Sequence, residues 1–365
     1  MYQALYRKWR PMSFDDVVSQ PHITTTLKNQ IKSGKTAHAY LFTGSRGTGK
    51  TTCARIFAKA INCLDPHNGE PCLECEICKD ADNGTLSDII EIDAASNSKV
   101  DDIRELREGV VYTPERCKYK VYIIDEVHML SAGAFNALLK TIEEPPPHVK
   151  FILATTEIHK VPATIVSRCQ HFDFHRIRNE DIVSRLMYIA SQEGFTLHED
   201  AAGMIARLSD GGMRDALSLL DQCVAYENDI TLDVVSSASG IAGRDYLFDI
   251  LEKIAEKDAA GALRVVDKLY DMSKDLKVLA GELLAQMRNV MIIKTIDNNK
   301  DLITCLPDEY ERLKALAERM KLDEILGDIN TLQECSERFA KSTSKRIELE
   351  MCIIKLCGAA QKAGA

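Results

Sequence analysis

Three groups of residues in this chain combine types and spacings that suit chemistry. The first is 44-GSRGTGKT-51, which fits G-x-x-x-x-G-K-[ST]. Gly44, Gly47 and Gly49 let the backbone curl so that its N–H groups, those of Ser45, Arg46 and Thr48 among them, point at phosphate oxygens. A helix beginning there adds its positive end. Lys50 is then expected to reach the β and γ phosphates of ATP and Thr51 to ligate Mg²⁺, with Thr52 closing the nucleotide-binding run. The second group is 121-VYIIDEVHML-130, an apolar stretch ending in two carboxylates. Alone, such an acidic pair is more often a helix cap or a solvated turn. Downstream of a phosphate loop it predicts that Asp125 holds Mg²⁺ and Glu126 orients or activates an attacking water. His128 reads as structural.

The third group is Cys63, Cys72, Cys75 and Cys78, spaced C-x8-C-x2-C-x2-C. Four thiolates fit a closed tetrahedral Zn²⁺ site with no position left for water, which makes the expected role structural. Such a site staples an insertion too short to build its own core. The rival, a C-x-x-C redox pair at Cys75 and Cys78, uses only two of the four thiols. The other eight cysteines, at 53, 117, 169, 223, 305, 335, 352 and 357, read as small buried hydrophobes.

These residues need elements to position them. Residues 1–176 alternate short β-rich runs (40-YLFTG, 88-DIIEID, 120-KVYIID, 150-KFILATT) with stretches of helical period, predicting an α/β domain with an open, mostly parallel sheet. The phosphate loop falls between the first strand and 52-TCARIFAKAIN, which reads as a helix. From 177 to 242 the strands vanish and three amphipathic segments predict a small helical domain, punctuated by Gly194 and Gly211-Gly212. From 243 to 365 only helical patterns remain, predicting a third, all-helical domain. With 365 residues, the chain is long enough for two or three domains. A net charge of −9 argues against a protein that grips nucleic acid over its whole face, so any DNA contact must be local or built by assembly. No run approaches the ~20 apolar residues of a membrane helix, and no targeting segment is visible at the start. The expected location is the cytoplasm, with reduced thiols.

Taken in order, RKWRPMSFDDVVSQ, HAYLFTGSRGTGKTT, the four-cysteine insert, EIDAASN, VYIIDEVHMLS, FNALLKTIEEPP, FILATTE, IVSRCQHFDF and GGMRDALSLLDQ resemble the bacterial DNA polymerase III gamma/tau family. These are the AAA+ ATPases of the replicative clamp loader. The resemblance is dense over the first 225 residues, and the helical remainder fits the family's oligomerising collar by position and texture. It implies that Thr156 senses the γ-phosphate, and that Arg168 is an arginine finger reaching into a neighbouring subunit's ATP. It also implies that Arg214 is a second sensor on the helical lid and that Val17 and Val18 pack on adenine. The plain alternative for the two valines, core residues of a short strand, stays open. By the same resemblance Lys99 and Arg104 face DNA, although their mixed-charge surroundings also suit a solvated helix face.

The implied function is ATP-driven opening and loading of a sliding clamp onto primed DNA, in a hetero-pentamer with delta and delta-prime type subunits. The family serves a DNA-directed DNA polymerase, but nothing in this chain suggests a polymerase site of its own. Two other readings remain: a stand-alone AAA+ motor of the branch-migration helicase type, and a structural loader subunit that does not hydrolyse ATP.

Overall fold

The computed structural model describes residues 3–96, 100–240, 245–297, 299, 302, 303, 305, 307–339 and 342–358. The chain divides into two compact units, Met1–Ala238 and Ser239–Ala365.

In chain order the first unit holds α1 (Leu5–Lys8), α2 (Pro21–Ser33), β1 (Ala39–Gly44), α3 (Lys50–Asn62), α4 (Glu76–Asn83), β2 (Ile89–Asp93), α5 (Val100–Val110), β3 (Lys120–Asp125), α6 (Ala132–Glu143), β4 (Val149–Thr155), α7 (Ala163–Val166) and β5 (Gln170–Phe174). Its sheet is parallel throughout, in the order β2-β3-β4-β1-β5. The central strands read AYLFTG and VKFILAT and are buried almost end to end, because helices cover both faces and leave no solvated side to select polar residues. Alternate residues serve opposite faces. Tyr40 and Phe42 of β1 join Phe57 and Phe172 in an aromatic core on one side, while Leu41 joins Ile124, Phe151 and Leu153 on the other. The four strands expected from the sequence are present. The fifth, β5, was not anticipated, although QHFDF alternates, burying Phe172 and Phe174.

The parallel register brings the carboxyl ends of β2, β3, β4 and β1 side by side, with Thr43 opposite Thr155 and Asp93 opposite Asp125. In an open parallel sheet this is the edge where ligands bind. Gly44 ends β1 at φ 137°, and a Cβ there would strike the carbonyl oxygen of Phe174, so only glycine lets the chain leave the strand at this point.

The unit continues with α8 (Asn179–Glu193), β6 (Thr196–Leu197), α9 (Glu199–Leu208), α10 (Met213–Tyr226), β7 (Asp229–Ile230) and α11 (Leu232–Ala238). Acidic first turns in α8 and α9 complement the helix dipoles, and Gly194 in the left-handed region ends α8. The expectation that strands vanish here needs correction. Two-residue strands β6 and β7 pair in parallel, too short to leave a period in the sequence.

Among the described residues the second unit holds helices and no strand: α12 (Asp245–Ala255), α13 (Ala259–Asp271), α14 (Leu276–Thr295), α15 (Pro307–Arg319), α16 (Leu322–Arg338) and α17 (Lys345–Leu356). Leu279, Leu283, Met287 and Val290 of α14 run through the middle of its core, against Leu251, Val266, Leu316, Leu332 and Ile353. Asp258, Asp275 and Ser344 cap α13, α14 and α17 with side-chain oxygens. The expectation of eight buried cysteines holds for Cys53, Cys223, Cys335, Cys352 and Cys357, whereas Cys117, Cys169 and Cys305 are half-buried. Among the described residues no helix is long and apolar enough to cross a membrane.

Candidate functional site

The expected phosphate loop, residues 44–51, hangs between β1 and α3. Gly49 caps α3 at φ 104°, so the helix starts at Lys50 with its first amides facing the loop. The Lys50 ammonium is buried and donates to the carbonyl oxygens of Gly44 (2.8 Å) and Ser45 (2.7 Å). Burial pushes its pKa down, opposed by the charges of Glu126 and Asp125. Thr51 Oγ1 donates to Asp125 Oδ2 at 2.7 Å, bringing together the two residues expected to share a cation.

After Asp125 the backbone turns sharply. Glu126 sits at φ 47°, in the left-handed region, where a non-glycine residue costs on the order of 1–3 kcal/mol. The turn is secured by the Glu126 N–H donating to Asp125 Oδ1 at 2.9 Å. Thr156 Oγ1 donates to Glu126 Oε2 at 3.1 Å. His128, which reads as structural from the sequence, lies directly behind with its ring nearly enclosed. Its Nδ1 lies 3.0 Å from Thr155 Oγ1 and 3.5 Å from Glu126 Oε2, and its Nε2 lies 3.3 Å from Glu157 Oε1.

One pocket gathers most of the expected residues: Val17, Val18, Arg46, Gly47, Thr48, Gly49, Lys50, Thr51, Thr52, Asp125, Glu126 and Arg214. Gly44 and Ser45 form the start of the loop beneath it. The start of α10 and the loop touch directly: Met213 N–H donates to the Gly47 carbonyl at 3.1 Å, and a Cβ on Gly47 would lie 3.0 Å from Gly212 Cα. Sequence reasoning missed the N-terminal arm. Tyr6, Trp9, Arg10 and Pro11 line the same pocket. Trp9 Nε1 donates to Glu193 Oε1 at 2.6 Å, Lys8 pairs with Glu193, and Arg214 lies over the Tyr6 ring, so the arm is strapped to α8 and α10 at the pocket's edge. The string RKWRP was the available signal, but its partners lie some 180 residues away in sequence.

Cations crowd this mouth. Burial lowers the pKa of Arg10, and Arg55, Arg214 and Arg7 lower it further, against the opposing charge of Glu91. The pocket lining sets Arg10, Arg46, Lys50, Arg185 and Arg214 against Asp16, Asp125 and Glu126, an excess of positive charge that suits a polyanionic ligand. Arg168 does not join it. Its guanidinium is held at the surface by Glu143 (2.7 Å) and the Thr164 carbonyl (2.8 Å). Lys99 and the side chain of Arg104 lie outside the described residues.

The four expected cysteines converge, their sulfurs all within 4.8 Å of one another. Cys63 Sγ lies 4.0 Å from Cys75 Sγ, and Cys72 Sγ 3.9 Å from Cys78 Sγ. Tetrahedral ligands at a Zn–S length of ~2.3 Å stand roughly 3.8 Å apart, so the cage fits that ion. The N–H groups of Cys72, Cys75 and Cys78 point at the sulfurs of Cys63, Cys72 and Cys75 at 3.3–3.4 Å, as suits thiolates. Burial opposes ionisation of Cys72, but the N–H groups of Cys75 and Glu74, with the Cys63 and Cys75 thiols, hold it down to about 6. Burial pushes Cys63 and Cys78 up.

A family model described as DNA polymerase III clamp loader subunit, ATPase lid domain, matches residues 181–229. One described as DNA polymerase III subunits gamma and tau domain III matches 230–364, and one described as DNA polymerase III, delta subunit, matches 19–178. DNA polymerase III subunit tau of Bacillus subtilis is 44% identical over 365 residues, covering all of this chain and 65% of its own. DNA polymerase III subunit gamma of Buchnera aphidicola subsp. Schizaphis graminum is 40% identical over 87% of both chains. DNA polymerase III subunit tau/gamma of Haemophilus influenzae is 39% identical over 97% of this chain and 51% of its own. The chain therefore spans between half and two thirds of the length of the longer relatives.

Proposed function

The chain belongs to the DNA polymerase III gamma/tau family of clamp-loader subunits, and from that premise we propose that it hydrolyses ATP within a bacterial replicative clamp loader. The observation that carries this reading is the convergence of loop, carboxylates, strap and lid on one pocket while Arg168 stays outside it. The loop amides from Gly44 to Gly49 hold the phosphates. Lys50 moves from the Gly44 and Ser45 carbonyls to the β and γ phosphates. Thr51 and Asp125 hold Mg²⁺, which when bound offsets phosphate charge. Glu126, held by Thr156, orients the attacking water and takes its proton, and Thr156 feels the γ-phosphate. Arg214 approaches from the lid, so nucleotide state biases the lid's position. Arg168 acts on the neighbouring subunit's ATP, so turnover reports on assembly. Val17 and Val18 face the base. Cys63, Cys72, Cys75 and Cys78 hold Zn²⁺ in a closed, structural site.

In this reading residues 1–176 are the ATPase domain, 177–242 the lid and 243–365 the collar that joins subunits. Partners are delta and delta-prime type subunits, a sliding clamp and primed DNA, met in the cytoplasm, with Lys99 and Arg104 following the DNA backbone. ATP binding closes the assembly and opens the clamp, and hydrolysis on primed DNA releases it. The chain carries no polymerase site. The test is the ATPase rate of the chain alone, with partner subunits, with clamp, and with clamp and primed DNA. Stimulation by the last two together is expected, and Lys50→Ala removes it. Strand displacement by the chain alone indicates a motor instead, and no turnover in any mixture indicates a structural subunit.

A further inference from the structure

One residue of the cysteine insert, required by neither the glycine-rich loop nor the sulfur cage, is bonded to the segment that supplies Val17 and Val18 to the pocket. Glu70 stands two positions before Cys72, half-buried at the base of the insert. Its Oε2 accepts the Phe14 N–H at 2.8 Å, and its Oε1 lies 2.7 Å from Lys28 Nζ on α2. Lys28 also pairs with Asp15, so three charges lock the insert, the 13–16 segment and α2 together. Beside Glu70, Gly69 at φ 82° lets the insert lie flat on α2, where a Cβ would stand 2.5 Å from the Lys28 carbonyl oxygen. On the other side, Phe14 is buried in the core and its carbonyl accepts the Val17 N–H at 3.2 Å. That turn delivers Val17 and Val18 to the pocket.

Each link in this chain has a physical reason. A carboxylate accepting a buried N–H is among the stronger hydrogen bonds, and removing it leaves Phe14 N–H without that partner. The stretch from Cys63 to Cys72 has no core of its own: Leu64 to Asn68 are exposed. Its two terminal sulfurs sit in the cage, which pins both ends of the stretch that carries Glu70, and within it Glu70 and His67 exchange backbone hydrogen bonds.

We propose that Glu70 is a positioning residue for the nucleotide pocket: the cysteine cage holds Glu70, Glu70 holds Phe14, and the turn that starts there sets Asp16, Val17 and Val18 in the pocket wall away from the phosphate loop. The insert is a strut for nucleotide binding as well as a staple for its own fold. The inference rests on reading this pocket as an ATP site.

The experiment titrates a fluorescent ATP analogue and, separately, inorganic tripolyphosphate into the full chain and its Glu70→Ala and Glu70→Gln variants. Glu70→Ala is expected to weaken the ATP analogue roughly ten-fold, while tripolyphosphate, which needs only the loop, binds as in the parent. Glu70→Gln keeps an oxygen for the Phe14 N–H and recovers most of the affinity. Stripping the metal from the parent with a zinc chelator brings ATP affinity to about the level of Glu70→Ala, and adds little in that variant. Parent-like ATP affinity in Glu70→Ala overturns this inference alone, as does an equal loss for both ligands. Independent losses from chelation and substitution break the link from cage to Glu70. A parent chain that binds neither ligand overturns the ATP reading and this inference with it.

Discussion

At the scale of single residues, the geometry separates groups that serve the chain's own pocket from one that does not. Lys50, Thr51, Asp125, Glu126 and Thr156 are connected by short hydrogen bonds or share one wall. Arg168 is turned away and neutralised by Glu143. An arginine acting from a neighbour predicts complementation between damaged copies. Assemblies built only from Arg168→Ala chains are expected to lose about 10³-fold or more in turnover, and those built only from Lys50→Ala chains to lose nucleotide binding. Mixing the two lets an intact Arg168 on a Lys50→Ala copy face a loaded pocket on an Arg168→Ala copy. Turnover of the mixture should therefore exceed that of either uniform assembly. A mixture no faster than its parts places the arginine's action within its own subunit. The strain at Glu126 fits the same division, because a left-handed residue held by Asp125 and Thr156 aims a carboxylate that free rotation would leave in solvent.

At the scale of elements, the pocket is a meeting of the sheet's carboxyl edge with a lid helix, and the contact passes through glycine. Gly47 at φ 78° touches Gly212 and receives the Met213 N–H, one residue before Arg214. Gly47→Ala adds a left-handed side chain, costing ~1–2 kcal/mol, and pushes the loop off the lid. The expected result is a roughly ten-fold weaker ATP titration, with no further loss on adding Arg214→Ala, since both changes break one junction. ATP binding equal to the parent's, or additive losses, would count against that junction. Much of this architecture could be read from the sequence because its signals are local. Buried parallel strands write continuous apolar runs, and the G-x-x-x-x-G-K-[ST] loop writes its glycines within eight residues. What could not be read is what depends on distant partners. β5 alternates and lies at the sheet edge, β6 and β7 are two residues long, and the Tyr6 to Pro11 arm acquires its meaning only when Trp9 meets Glu193. The Cys63 to Cys78 spacing announced a cage, but its attachment through Glu70 to Phe14 and Lys28 has no sequence period at all.

At the scale of the whole molecule, the apolar cores lie within one unit or the other, two on the faces of the first unit's sheet and one inside the helical unit, so each unit is expected to unfold in its own cooperative step. The helical unit carries a flaw that makes its step pH-dependent. Asp328 on α16 is only 8% exposed, and its Oδ2 has no hydrogen-bond partner among the described residues. Burial pushes its pKa up from 3.8 to about 6; Lys257 opposes the shift and Glu324 adds to it. With the folded value above the unfolded one, the folded unit holds the extra proton between about pH 4 and pH 6. The stability this proton contributes is complete below that window and lost as pH rises through it, by about 3 kcal/mol at most. Asp328→Asn removes the charge without changing the shape. Scanning calorimetry should find the helical unit's transition raised by several degrees at pH 8, as a change of ~1–3 kcal/mol implies, and unmoved at pH 4, where the parent carboxyl is already neutral. The step of residues 1–238 should not shift at either pH. An equal gain at both pH values would mean that packing, not charge, sets the cost of Asp328, and a loss at pH 8 would mean that its carboxylate is paired.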